Sequence, residues 1–432
     1  LRETPNEGPS SNAAVPIEPR SFRGPSEQRL FFVAAFADAR SWRQQEKVRT
    51  MSKARNGSSR RFSATSRKAL ALAAAIYTLG VGGAHAADLS VAPPPPPADA
   101  PPLLPPPIPL APLGVFGVDM PAAGKLTFSV GALFWNLSHS LLGTQGVSSQ
   151  QLAATVPWYW SPTTSKLRLI PQNIAIASEG VSLCYGVTKD ISIFVATGMI
   201  EKNLDMLTFK GASGITPLGM SFTGTDGMTD SVLAGFWRVY QDPINRIQIN
   251  LGMSFPTGGT NNTFTLLQPN GTYATSRAFY SMQPGSGTFD VMPGIVYAGA
   301  LERWSWGLSY RARLPLGVNP EGWMYGDLHE FTGWGGYSWT PSLTTTIRVS
   351  GSLQGPIIGA DPLVVGKAPA ANPTFYGGQR IELFGGATIG GKIIGVDALS
   401  MLVEAGIPVY QNLNGPLLSK NWQASVVLRW KI

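Results

Sequence analysis

Few side chains in this 432-residue chain are of types that make or break bonds, and their spacing argues against such work. Downstream of residue 86 there are two histidines, His139 and His329, far apart in sequence. His139 stands next to Ser140. A hydrolase could use such a pair only if the hydroxyl and the ring came within hydrogen-bond reach beside an ester. A solvated histidine at a strand end is the plainer reading. The single cysteine, Cys184, excludes an internal disulfide and cysteine-built metal sites. It reads as a small apolar strand residue. Gly258-Gly259 and Gly285-Ser286-Gly287 are turn glycines, since neither is followed by the Lys-Ser/Thr of a phosphate-binding loop. No paired metal ligands occur at helix or strand spacing, so neither catalysis nor a metal or other cofactor is expected.

A second set of polar residues stands out by phase. Gln248, Asn250, Arg311, Arg313, Arg348, Glu382, Glu404, Arg429 and Lys431 lie opposite apolar residues in segments that alternate strictly. In Arg246–Pro256 the apolar set is Ile247, Ile249, Leu251, Met253 and Phe255. In Trp304–Leu314 it is Trp304, Trp306, Leu308, Tyr310, Ala312 and Leu314. Alternation of this kind gives a strand one apolar face and one wet face. Lys125–Asn136, Leu343–Leu353 and Leu399–Ile407 follow the same rule. The clearest case is the final stretch, where Trp422, Ala424, Val426, Leu428, Trp430 and Ile432 share a face.

The alternating segments run about ten residues, the length a tilted strand needs to cross a bilayer. Short links fall at 188–190, 241–245, 300–303, 340–342 and 391–395; long ones span roughly 138–178, 200–229, 257–288, 315–327, 355–379 and 408–420. Long and short alternate without exception. Twelve strands joined this way put every short turn, and both ends of the barrel, on one side. The expected fold is therefore all-β, a transmembrane antiparallel up-and-down β-barrel of about 12 strands over residues 120–432. A hairpin within 204–225 is left open, and a secreted β-sandwich is the rival fold. Trp135, Trp304, Tyr337, Trp339, Trp422 and Trp430 sit near strand ends, where interfacial aromatics would fall.

Upstream of the barrel the composition changes twice. From Met51 a basic run without acids leads into apolar Ala69–Val81 and then Ala84-His85-Ala86, the order of a secretory signal peptide cleaved after Ala86. Residues 51–86 are thus expected to be removed, and 1–50 to be an upstream extension that is not part of the working protein. Prolines at 93–97, 101, 102, 105–107, 109 and 112 favour extended polyproline II, so 87–119 reads as a periplasmic linker. The formal charge of +8 resides entirely in residues 1–86, with 14 basic and 6 acidic side chains; the remainder carries 19 of each. A basic surface for nucleic acid is thereby excluded. Only 13% of residues are charged, about half of what a soluble domain carries.

Four stretches resemble the "MetA-pathway of phenol degradation" family of proteobacterial outer-membrane transporters: Met199–Met206, Leu251–Gly258, Met282–Asp290 and Val409–Pro416. The resemblance spans about residues 120–432. It implies a barrel with a role in the passage of aromatic or other small organic molecules. Members rich in Met and His in the first hairpins differ from this chain, so no metal-linked role is carried over.

Together these readings lead to an outer-membrane barrel giving passive passage to small organic solutes. The nine polar residues named above would line the lumen, because an arginine or lysine on the lipid face costs about 2–4 kcal/mol at mid-bilayer. The expected partners are the lipid bilayer, the solute and, through the C-terminal strand, the outer-membrane assembly machinery. Two alternatives stay open: a non-conducting structural barrel whose inward charges pair and plug it, and an outer-membrane hydrolase.

Overall fold

The computed structural model describes residues 111–432. The extension 1–50, the signal peptide 51–86 with its cleavage site, and the linker up to residue 110 lie outside the described residues.

Alternation becomes strand as expected. The wall consists of β1 (Leu126–Gly143), β2 (Leu169–Gly186), β3 (Ile191–Phe209), then, after the hairpin strand β4 (Pro217–Met228), β5 (Ser231–Gln241), β6 (Asn245–Phe255) and β7 (Asp290–Leu301). It continues with β8 (Trp304–Pro315), β9 (Leu328–Thr340), β10 (Leu343–Gln354), β11 (Gly378–Gly390) and β12 (Leu399–Lys431). Each wall strand pairs antiparallel with its wall neighbours, and β12 returns to β1 to close the cylinder. Closure leaves no edge. β12 is one 33-residue segment making two passes: Ser400–Leu413 pairs with β11 and Leu413–Lys431 with β1. Eleven strand segments therefore supply twelve staves.

Outside and inside are inverted relative to a soluble protein. Val181, Leu183, Ile193, Val195, Ile249, Leu251, Ile295, Leu308, Ile347, Leu383, Ile407 and Leu428 are all exposed on the outer face. Between them Ser192, Gln248, Asn250, Ser305, Thr346, Arg348 and Glu404 are buried. An apolar girdle around a polar interior is stable only with lipid outside. Trp304, Tyr337 and Trp339 stack edge-on at the short-turn end. Trp135 leaves this pattern: its indole donates to Gln423 Oε1 at 2.6 Å.

The long–short rhythm holds up to the last link; there the expected long connection 408–420 is strand instead, the two passes of β12 meeting at Leu413 because alternating residues continue the ladder. Leu126 and Ile432 exchange backbone hydrogen bonds of 3.0 and 2.7 Å at the short-turn end, tying first strand to last. At the other end the loops are built rather than loose. β4 pairs with the outer half of β3, so the open 204–225 hairpin is real strand. Thr263–Leu267 pairs with Tyr273–Arg277, and Trp323–Met324 with Ile358–Gly359. Apolar residues from these loops converge in one buried cluster that includes Leu204, Met206, Phe264, Phe279, Tyr280, Trp323 and Tyr376. Aromatic edges meet there at 4.9–5.7 Å. The Tyr376 hydroxyl donates to Ala370 O at 2.8 Å, and that of Tyr325 to Tyr280 O at 2.9 Å. The result is a dry cap, and burial pushes the Tyr280 phenol up to about 12.

Candidate functional site

Residues 111–119, the described end of the expected linker, are not a spacer outside the wall. They run through the barrel. Phe116 packs edge-on against Phe194 and Phe236, each at 5.0 Å. Ala111, Val115 and Val118 pack with Val296, Ala298 and Trp334. Apolar side chains after the last proline explain the difference: a linker in water would leave them exposed. Two glycines let the backbone come close. A Cβ on Gly114 would stand 2.4 Å from the Arg348 guanidinium. Gly117, at φ +89°, lies against the Asn250 carboxamide, a backbone state that glycine adopts at no steric cost.

The nine polar residues singled out by phase fall into three groups. Gln248 and Asn250 hold the segment: Gln248 Nε2 donates to Gly117 O at 2.7 Å and Asn250 Nδ2 to Phe116 O at 3.2 Å. Arg429 belongs with them through an ion pair to Asp119 at 2.6 Å. A second group is paired within the wall. Arg348 meets Glu404 through Nε at 3.0 Å and Nη2 at 2.5 Å, and its guanidinium covers the Phe384 ring at 3.8 Å. Arg311 pairs with Glu330 at 2.5 Å, and Glu382 with Lys420 at 2.7 Å. Arg313 bonds Asp290 through Nε and reaches Asp230 at 3.3 Å and Ser286 Oγ at 3.2 Å. Lys431 stands alone, exposed at the short-turn rim and without an ion partner among the described residues.

One seam interrupts the wall. β7 and β8 pair on either side of Met292 and Pro293, but those two residues have no partners across the strand, where Ala312 and Arg313 would stand. Pro293 has no N–H to offer the ladder. A cavity of about 30 Å³ opens at this level, room for about two waters. Its lining joins interior residues (Asn250, Val296, Arg311, Glu330, Arg348), Gly114 and Phe116 of the segment, and Pro293, Tyr310 and Ala312 at the seam. The segment, Glu330, Asp230, Asp290 and the seam were not singled out from sequence. Pro293 inside an otherwise alternating strand was the one available signal.

A separate cleft of about 500 Å³ lies at the long-loop end of β1, lined by His139, Ser140, Gln150, Pro171 and Gln172 among others. His139 has φ +59°, at a bulge in β1. Its Nδ1 lies 2.8 Å from Ser138 Oγ, not from Ser140, and Asn421 Nδ2 donates to the same hydroxyl at 2.6 Å. Among the described residues no carboxylate or carboxamide bonds the ring. The group lacks the third member that orients a catalytic base.

No family model matches the chain, so the family resemblance gains no support there, and no curated protein matches it either. It is similar to solved outer-membrane barrels. One is the COG4313 outer membrane channel from Pseudomonas putida F1, at 11% identity and a TM-score of 0.47, covering 74% of this chain and 100% of that one. Another is the P. putida toluene transporter TodX, at 9% and 0.38, covering 72% and 90%. A Pseudomonas aeruginosa FadL homologue follows at 10% and 0.35, covering 71% and 90%. Likeness at this level assigns no activity; the functional reading rests on the chain's own residues.

Proposed function

We propose that this chain is a bacterial outer-membrane barrel giving passive passage to small organic solutes, aromatic and hydrophobic ones included, with residues 111–119 as its removable plug. One observation carries the reading: the middle of the barrel is filled by a segment that is not part of the wall. A purely structural barrel can fill its interior from its own strands, and twelve strands enclose only moderately more space than the eight that side chains fill. Here Phe116, Val118 and their neighbours occupy the space instead, held by two side-chain hydrogen bonds and one ion pair. A ladder-bonded strand could not leave; this segment can.

With the plug withdrawn, Gln248, Asn250, Arg311, Arg313, Arg348, Glu382, Glu404, Arg429 and Lys431 border the passage. Arg311, Arg313, Arg348, Glu382 and Glu404 stay paired, so the middle of the passage presents little net field to an ion and suits neutral solutes. Arg429, which loses Asp119 with the plug, and Lys431 leave two positive charges at the short-turn rim. The seam at Pro293 borders the same space; Ala312 opposite it lies in outward phase but is buried, so apolar solutes leave into lipid there only when the seam widens. Export by the 51–86 signal, cleavage after Ala86 and insertion through the C-terminal strand by the assembly machinery complete the reading.

Gly114→Phe tests it. A phenyl ring there must displace either the segment or the Arg348 guanidinium. Glu404 and the Phe384 ring hold the guanidinium in place, so the segment is expected to give way and conductance in planar bilayers to rise severalfold over the parent. Equal, negligible conductance in both proteins, each shown to be folded, would return the barrel to a structural role.

A further inference from the structure

Asn250 faces the cavity with its hydrogen bonding half complete. Its Nδ2 donates to Phe116 O, which fixes the orientation of the amide, because turning it over would set Oδ1 against that carbonyl. Oδ1 is left as an acceptor with no partner, although the residue is only 6% exposed. Buried polar atoms without partners are rare enough to need a reason. The surroundings narrow what could meet this one. Arg311 and Arg348 are neutralised by Glu330 and Glu404, so an ion gains nothing there. Phe116, Met292 and Val296 supply apolar wall beside the amide.

We infer that Asn250 is a binding residue for small neutral alcohols and phenols, the solute hydroxyl seated on its carboxamide and the hydrocarbon body on the apolar wall. A hydroxyl both donates and accepts. It therefore satisfies Oδ1 and, once the plug withdraws, takes the place of the Phe116 carbonyl at Nδ2. A hydrocarbon satisfies neither atom, and an ether or ketone only Nδ2. The inference rests on the passage reading and names its solute class, since about 30 Å³ admits a ring only after Phe116 leaves.

Benzyl alcohol and ethylbenzene differ by a hydroxyl in place of a methyl and make the test. The affinity of each is measured for the full chain and for Asn250→Leu in detergent; comparing the four values cancels partition into the micelle. Asn250→Leu frees Phe116 O and so loosens the plug for both solutes alike; relative to ethylbenzene, benzyl alcohol is expected to weaken roughly threefold to tenfold. Asn250→Ser keeps a donor and an acceptor; it is expected to retain part of the preference, and it decides the matter if the leucine variant does not fold. Equal changes for both solutes would overturn the assignment. Flux of the same pair through the reconstituted parent separates the two readings: preference without flux overturns passage alone, and flux without preference overturns the Asn250 site alone.

Discussion

At the scale of single residues, the interior is held by pairs whose worth depends on both partners being present. Arg348 and Glu404 are buried, with side-chain exposures of 6% and 2%. Removing one partner strands a charge, whereas removing both does not. Glu404→Gln is expected to lower the unfolding free energy in detergent by about 3 kcal/mol, and Arg348→Met with Glu404→Leu by clearly less. Urea titration of the three proteins checks the order. Asp242, in the turn between β5 and β6, gives the pH dependence. Hydrogen bonds from the backbone and side chain of Asn245, the Tyr240 hydroxyl and the Ile244 N–H hold its carboxyl well below the usual carboxylate range. A depressed carboxylate contributes stability above its ordinary value and loses it as pH falls through the lowered one. Amide exchange at Ile244 and Asn245, corrected for its intrinsic pH dependence, is therefore expected to stay protected from pH 7 to pH 4. Asp242→Ala should abolish that protection at both.

Elements were legible in the sequence where one side met lipid. Arg246–Pro256 and Trp304–Leu314 fall within a residue of the observed β6 and β8, because any slip would turn the charged face into the bilayer. Apart from 408–420, which is strand within β12, the loops were legible in length but not in structure. The β3–β4 hairpin and the cap draw their order from contacts among distant loops, which no local pattern encodes. The plug was missed for a related reason: prolines up to 112 mark a chain without secondary structure, and only the cavity it enters explains Val115, Phe116 and Val118. The nine polar residues were singled out by phase, yet phase could not show that Gln248 and Asn250 would bond residues 116 and 117 while Arg313 bonded Asp230 and Asp290. Pro293 belongs at this scale as well. Replacing it with valine restores a donor to β7 and is expected to close the seam, lowering flux of apolar solutes while leaving the fold's thermal midpoint unchanged or raised. Flux equal to that of the parent would show that the seam is no part of the route.

The whole molecule is a cylinder with an apolar outer girdle, capped at its long-loop end by an aromatic cluster and filled midway by residues 111–119. Detergent dependence follows from the apolar girdle, and a chain that stayed monodisperse in buffer alone would not be this molecule. Passage depends on the segment leaving the barrel. Val118 and Val296 pack in one cluster, so cysteines at both positions, with Cys184→Ser to remove the native thiol, can be joined by a short reversible thiol crosslinker. Solute flux into proteoliposomes is then measured on the joined protein and again after reduction. Flux that is absent while the segment is tethered and restored on release is the expected result. The same flux in both states, or none in either, would contradict it.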